Sequence, residues 1–185
     1  MASSAIGPSL GTLSWLPAHD HAELLAPVVS DAISRHQLRC FVAAIDPTLA
    51  DTAAFCESYQ VPLGVSANCV VVAGRRAESV TMAACLILAT DRADVNKTVR
   101  RHLDVRKISF ADMAEAVSLT DMAYGGITPI GLPPGWPILI DDQVAACPWI
   151  VIGSGIRGSK IAIRGGDVAE LPSARVLKVA HPSAP

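Results

Sequence analysis

The stretch GSGIRGSKIAIR, residues 153–164, decides what kind of fold this chain has. Its first six letters match the G-x-G-x-x-G of dinucleotide-binding proteins. That motif works where a strand runs through the glycines into a helix, whose N-terminus then receives a pyrophosphate. Here the residues after Gly158 alternate as a strand does, and no helix opens within the needed distance. No acid stands about twenty residues further on to take a ribose hydroxyl. Ser159 and Lys160 also stand in the wrong order for a phosphate loop. The stretch reads as a glycine-rich hairpin turn between two strands, and the nucleotide fold is rejected.

Working outward, the neighbouring segments alternate between helix and strand. PILID (137–141), WIVIG (149–153) and KIAIR (160–164) are short strands, GDVAEL (166–171) a helical turn, and ARVLKVA (174–180) a last strand. Upstream, NCVVVAGRRAESVTMAACLILA (68–89) reads as two antiparallel strands with a charged turn at AGRRAE. LRCFVAAI (38–45) is a strand, and LADTAAFCESYQ (49–60) a helix ending before Pro62. DHAELLAPVVSDAISRH (20–36) has helical spacing, with Asp20 and Glu23 as a capping box and Pro27 limiting or kinking it. DRADVNKTVRRHL (91–103) predicts an amphipathic helix with Val95, Val99 and Leu103 on one face. SFADMAEAV (109–117) predicts another, boxed by Ser109 and Asp112. The fold class is α/β (α+β), with a mixed, largely antiparallel, barrel-like sheet flanked by helices. Residues 1–18 read as a loose tail and 19–181 as a single domain.

Composition narrows the function classes. A chain of 185 residues with 51% hydrophobic and 17% charged residues has the makings of one sizeable core. The longest apolar stretch, Met82–Ala89, is too short to span a bilayer, and no signal peptide is legible, so a cytoplasmic location without membrane contact is expected. Five scattered cysteines without a C-x-x-C pair fit reduced core residues. His19 and His21 lack the further ligands a metal site needs, and no metal or cofactor is expected. No G-x-S-x-G and no evident Cys/His context supports a catalytic triad. The net charge of -2 leaves only local contact with nucleic acid. KTVRRHLDVRK (97–107) offers such a place. It is either a solvated helix face or a polyanion patch of Arg100, Arg101, Arg106 and Lys107, helped by Arg75 and Arg76 if the fold brings them near.

The densest cluster of turn residues is YGGITPIGLPPGW, 124–136, which carries no charge. Glycine, proline and threonine make it a rigid loop, while Ile127, Ile130 and Leu132 are side chains that a protein buries. In order, the IDP strand end, the CVVVA hairpin, the DRADVNKTVRRHLDVRKISFADMAEAV unit, GGITPIGLP, ILID, IVIGSGIRG, KIAIRGGDVAEL and ARVLKV resemble the YbaK/EbsC family of aminoacyl-tRNA deacylases. That family is related to the editing domain of prolyl-tRNA synthetases. The resemblance covers roughly residues 40–180, and its most specific part is the Gly-x-x-x-Pro loop at Gly125 and Pro129.

The resemblance implies hydrolysis of the ester that joins an amino acid to tRNA. The implied partners are the aminoacylated 3′ end of a tRNA and an aminoacyl-tRNA synthetase. An ester under attack develops negative charge on its carbonyl oxygen, and bare backbone N–H groups at Gly125 and Gly126 are ready donors. Thr128 and Pro129, with Gly153, Ser154 and Gly155 on a facing wall, are the expected substrate-binding residues. The chain departs from the family at three positions. Asn68 stands where the family usually has its lysine, Gly153 where many members have serine, and Lys160 where many have aspartate. Two readings stay open: a diverged deacylase, and a catalytically silent module that binds tRNA or a nucleotide. In the first, Lys160 replaces the lost cation from the opposite wall, and Asn68 and Lys160 join the glycines as catalytic candidates. The plainer expectation leaves Lys160 in solvent at the start of its strand.

Overall fold

A computed structural model describes residues 7–183. The strands are β1 (Leu16–Pro17), β2 (Cys40–Ala44), β3 (Ala67–Arg76), β4 (Ser79–Leu88), β5 (Asp91–Ala93), β6 (Lys107–Phe110), β7 (Ile138–Asp141), β8 (Ile150–Gly153), β9 (Ser159–Ile163), β10 (Ala174–Leu177) and β11 (Ala180–Pro182). The helices are α1 (Pro27–His36), α2 (Thr52–Tyr59), α3 (Arg100–His102), α4 (Met113–Thr120), α5 (Asp142–Ala146) and α6 (Gly165–Ala169).

Two main sheets result, ordered β1-β2-β9-β8 and β10-β7-β4-β3-β6, with a two-stranded ribbon β11-β5. β7 runs parallel to both β4 and β10, and the other pairs are antiparallel. The two sheets touch through one isolated bridge, Ser66 to Val151. They do not close into a barrel, which corrects the barrel-like expectation. β1, β6 and β10 remain edges, and Pro17, which has no N–H to offer, sits on one of them. The largest core lies between α1 and the facing sides of the two sheets, with Ile140, Ile152 and Ile161 fully buried. A second core, around Val72, Val99 and Val179, fills the other face of the β3–β4 region.

The GSGIRG turn does join two antiparallel strands, with Gly153 opposite Lys160. The long hairpin also forms, but its strands continue to Arg76 and Ser79 and the turn shrinks to two residues.

Elsewhere, tertiary pairing overrode local caps. Ser109 does not start a helix, because it pairs with Ala73 in β6, and Asp112 alone caps α4 through the Glu115 N–H. The segment 91–93 pairs with β11, so the helical stretch begins only after Asp94, whose carboxylate accepts from Thr98. Val95 and Val99 are buried as their spacing requires. Asp20 and Glu23 form no capping box. They lie in or beside two short 3-10 turns, where Glu23 accepts from His21 Nδ1 at 2.9 Å. Pro27 occupies the first turn of α1, where its missing N–H costs nothing, so it starts the helix rather than kinking it. The last predicted strand is split into β10 and β11.

The first part of the expected tail, residues 1–6, lies outside the described residues. From residue 7 the chain runs against the body. Leu10, Leu13 and Trp15 pack on a cluster containing Phe55, and Thr12 donates to Tyr59 O at 2.9 Å. The helix α5 escaped the sequence reading because a five-residue helix shows too little periodicity. Asp141 caps it by accepting from Gln143 N–H, while its other oxygen accepts from Val179 and Ala180 N–H, each at 2.9 Å. Burial pushes this carboxyl above its ordinary value of 3.8, and the three N–H donors pull against that.

Candidate functional site

Where the two sheets meet, a cavity of about 660 Å³ opens. One wall is the start of β3, with Ser66, Asn68 and Cys69. The N-terminal turn of α2 contributes Asp51, Thr52 and Phe55, and the end of β8 contributes Gly153. Gly125 and Ile127 come from the glycine-proline loop, Arg157 from the β8–β9 turn and Lys160 from β9. Of the residues expected at a site, Asn68, Gly125, Gly153 and Lys160 therefore face one space.

Gly126, Thr128, Pro129, Ser154 and Gly155 do not line that space. They form the seam behind it, where loop and turn backbones meet. Gly155 donates to Gly126 O at 2.8 Å, Ala123 donates to Gly155 O at 2.8 Å, and Gly126 donates to Ala123 O at 2.9 Å. The Gly126 and Gly155 amides are thus committed and are not open donors. A Cβ on Gly126 would stand 2.6 Å from Ile156 O, so glycine is required there for backbone contact rather than for substrate access. The Ser154 and Ser159 hydroxyls bond each other at 2.7 Å inside the seam. The Thr128 hydroxyl is buried without a hydrogen-bond partner among the described residues.

Lys160 is not in solvent. Its strand runs between β2 and β8 and is buried along its whole length, leaving the residue 7% exposed. Its ammonium donates to Ala50 O at 2.9 Å and lies 5.2 Å from the Phe55 ring centroid. Desolvation lowers its pKa below the ordinary 10.5, offset in part by the fields of Cys56 and Asp51, while Arg157 reinforces the lowering. Asn68 accepts from the Thr52 hydroxyl at 2.7 Å, which holds its amide in one orientation.

Cys69 also lines the cavity, but burial pushes its thiol up, away from nucleophilic thiolate. No group of three or more metal-ligating side chains occurs among the described residues.

Arg157 was missed in the sequence. Its guanidinium donates to Tyr124 O at 3.3 Å and to Pro47 O at 3.0 Å, tying the glycine loop to the segment before α2. The only signal was one charged residue at the tip of an otherwise glycine-rich turn. Arg157 also changes the reading of Gly125, whose φ is 79° and whose added Cβ would stand 2.6 Å from the Arg157 guanidinium. Gly125→Ala should displace that guanidinium and add about 1–2 kcal/mol of backbone strain. The expected result is a folded protein with at least roughly tenfold lower activity, since a misplaced binding group costs that much or more. Unchanged kcat/KM beside an unchanged melting curve would make the loop a mere turn.

At the other end of β6 the basic residues gather. Arg75 pairs with Lys107, and Arg106 donates to Arg75 O at 2.9 Å. Lys97, Arg100, Arg101 and Arg106 line a second hollow with Asp104, which pairs with Arg76 at 2.8 Å. β6 leads from this cluster to the cavity mouth, where Phe110, Met113 and Tyr124 are 64%, 53% and 58% exposed. Large apolar side chains left that open around one entrance suit a flat partner.

The chain matches the aminoacyl-tRNA editing domain over residues 46–171, more than half its length and every cavity residue. The chain belongs to the aminoacyl-tRNA editing domain family. Among solved structures, a candidate trans-editing enzyme for prolyl tRNA synthetase is 18% identical, with a TM-score of 0.70 over 84% of this chain and 96% of that one. The hypothetical protein APE2540 is 19% identical, with a TM-score of 0.74 over 83% of this chain and 99% of that one. At these identities the likeness speaks for the fold. In this editing domain the strands β1 and β2, which lie outside the matched range, complete the sheet that carries Lys160. No helix among the described residues is long and apolar enough to cross a membrane.

Proposed function

We propose that this protein is an aminoacyl-tRNA deacylase acting in the cytoplasm, with the cavity between the sheets as its active site. The observation that carries this is the continuity of β6, which joins a basic cluster to the aromatic rim of a cavity holding Asn68, Gly125, Gly153 and Lys160. Lys107 and Phe110 are three residues apart, roughly 10 Å along a strand. A tRNA 3′ end can therefore rest its phosphates on the arginines, stack a base on Phe110 or Tyr124, and pass its aminoacyl group inside. Water attacks the carbonyl carbon, and the oxyanion that develops on the carbonyl oxygen is met by the Asn68 amide and the Gly125 N–H. The bond to the ribose oxygen then breaks, and that oxygen takes the proton the water gives up, so that a free amino acid and a tRNA hydroxyl leave. Lys160 is the cation that holds the acyl end. A link to a synthetase rests on what the structural neighbour is described as serving.

A second reading, a silent tRNA-binding module, is favoured by one observation. The Asn68 oxygen is already bonded to Thr52, at the position where the family resemblance implies a lysine. Deacylation assays over a panel of correctly and wrongly charged tRNAs decide between the two. Release of an amino acid from at least one wrongly charged tRNA supports the enzyme, and tight binding without release supports the module. Absence of both sinks the proposal. For the basic cluster, the double change Arg100→Ala with Arg101→Ala should weaken tRNA binding and flatten the salt dependence by about two in log–log slope, one per lost phosphate contact. An unchanged slope would remove the cluster from the binding path.

A further inference from the structure

Two charged side chains are buried among the described residues, and they are treated very differently. The Asp141 carboxylate receives three backbone N–H bonds. The Lys160 ammonium has three protons to donate but meets one carbonyl and the face of a phenyl ring. None of the ion pairs among the described residues includes it. A buried charge without a counter-ion is costly, and such charges are ordinarily paired. The space that Lys160 faces is the cavity itself.

We propose that Lys160 is a carboxylate-binding residue, and that the aminoacyl group taken by this cavity carries an acidic side chain. The inference rests on the reading of the cavity as the aminoacyl site. A 3′ end entering from the aromatic rim puts the amino acid ahead of the nucleotide, so its side chain reaches the most enclosed charge. Three charged residues line the cavity: Asp51, Arg157 and Lys160. Asp51 is exposed at the N-terminus of α2 and suits the α-ammonium, while buried Lys160 suits a side-chain carboxylate. An apolar or amide side chain would leave the ammonium without a counter-charge. Phosphate has a better place in the exposed arginine cluster, which needs no desolvation.

The test uses adenosines whose 3′ oxygen is replaced by an amide-linked aspartyl, asparaginyl, glutamyl, glutaminyl or alanyl group, which cannot be hydrolysed. Calorimetry on the full chain should show each acidic analogue bound at least roughly tenfold more tightly than its amide counterpart, the effect of one charge-assisted hydrogen bond. Lys160→Gln should bring that ratio to within about twofold, and Lys160→Arg should keep part of it. Equal binding of acid and amide by the unaltered protein overturns the inference with no variant needed. A ratio that survives Lys160→Gln overturns it as well. Acid-selective binding without hydrolysis of aspartyl- or glutamyl-tRNA upholds the inference and defeats the deacylase reading. Hydrolysis of other esters without acid selectivity does the reverse. Failure of every analogue to bind defeats both.

Discussion

Lys160→Met is expected to cut deacylation sharply and make the protein harder to unfold. Activity should fall by roughly a hundredfold, the cost of misplacing a bound acyl group by about 1 Å. Stability should rise by on the order of 1 kcal/mol, because a buried charge is exchanged for an apolar group of similar length. Against this gain stand the hydrogen bond to Ala50 O and the contact with the Phe55 ring. Desolvation is the largest influence on Lys160 and lowers its proton affinity against the fields of Cys56 and Asp51. The sign follows from linkage. A lysine with a depressed folded pKa penalises folding fully below that pKa, and the penalty fades as pH rises toward the unfolded value of 10.5. The melting temperature of Lys160→Met should therefore exceed that of the unaltered protein at neutral pH, with the gap closing in alkali. A variant that melts lower at pH 7 would mean that Lys160 is a structural clamp.

The second large effect is expected at Gly153→Ser. Its Cβ would press on Gly126 O closer than real Cβ atoms come, and stand 2.8 Å from Ile127 O. Both obstacles are backbone, so a side-chain rotation gives no relief and the glycine loop must shift. Overpacking of this kind costs about 3 kcal/mol at its upper end, which corresponds to a fall in Tm of roughly 10 °C for a chain of this size. Gly64→Ser is the control, since nothing lies within 4 Å of a Cβ there. If both variants melt alike, the seam is not as closed as described.

The sequence made the fold legible where one local signal had no rival. The hairpin around Arg76 and the strand after Gly158 needed only alternation and a turn. It misled where a good local cap competed with a strand partner far along the chain, as at Ser109, which pairs with Ala73. The site shows the same division. Motif order pointed to Gly125, Asn68, Gly153 and Lys160, yet a motif cannot tell the face of a wall from its back. Gly126, Ser154 and Gly155 therefore looked like lining and form the seam. The environment of Lys160 was invisible for another reason. Whether a lysine at a strand start is buried depends on what flanks the strand, and β2 and β8 come from separate parts of the chain.

The seam bears on how this scaffold could be refitted. Because the Gly126–Gly155 contact is backbone against backbone, the width of the recess there does not depend on any side chain inside it. Replacements at Asn68, Cys69 or Lys160 can then recast the chemistry of the interior while its outline stays put. A library confined to those positions should yield folded proteins with altered ligand preference, whereas one that randomises Gly126 or Gly153 should yield mostly unfolded ones.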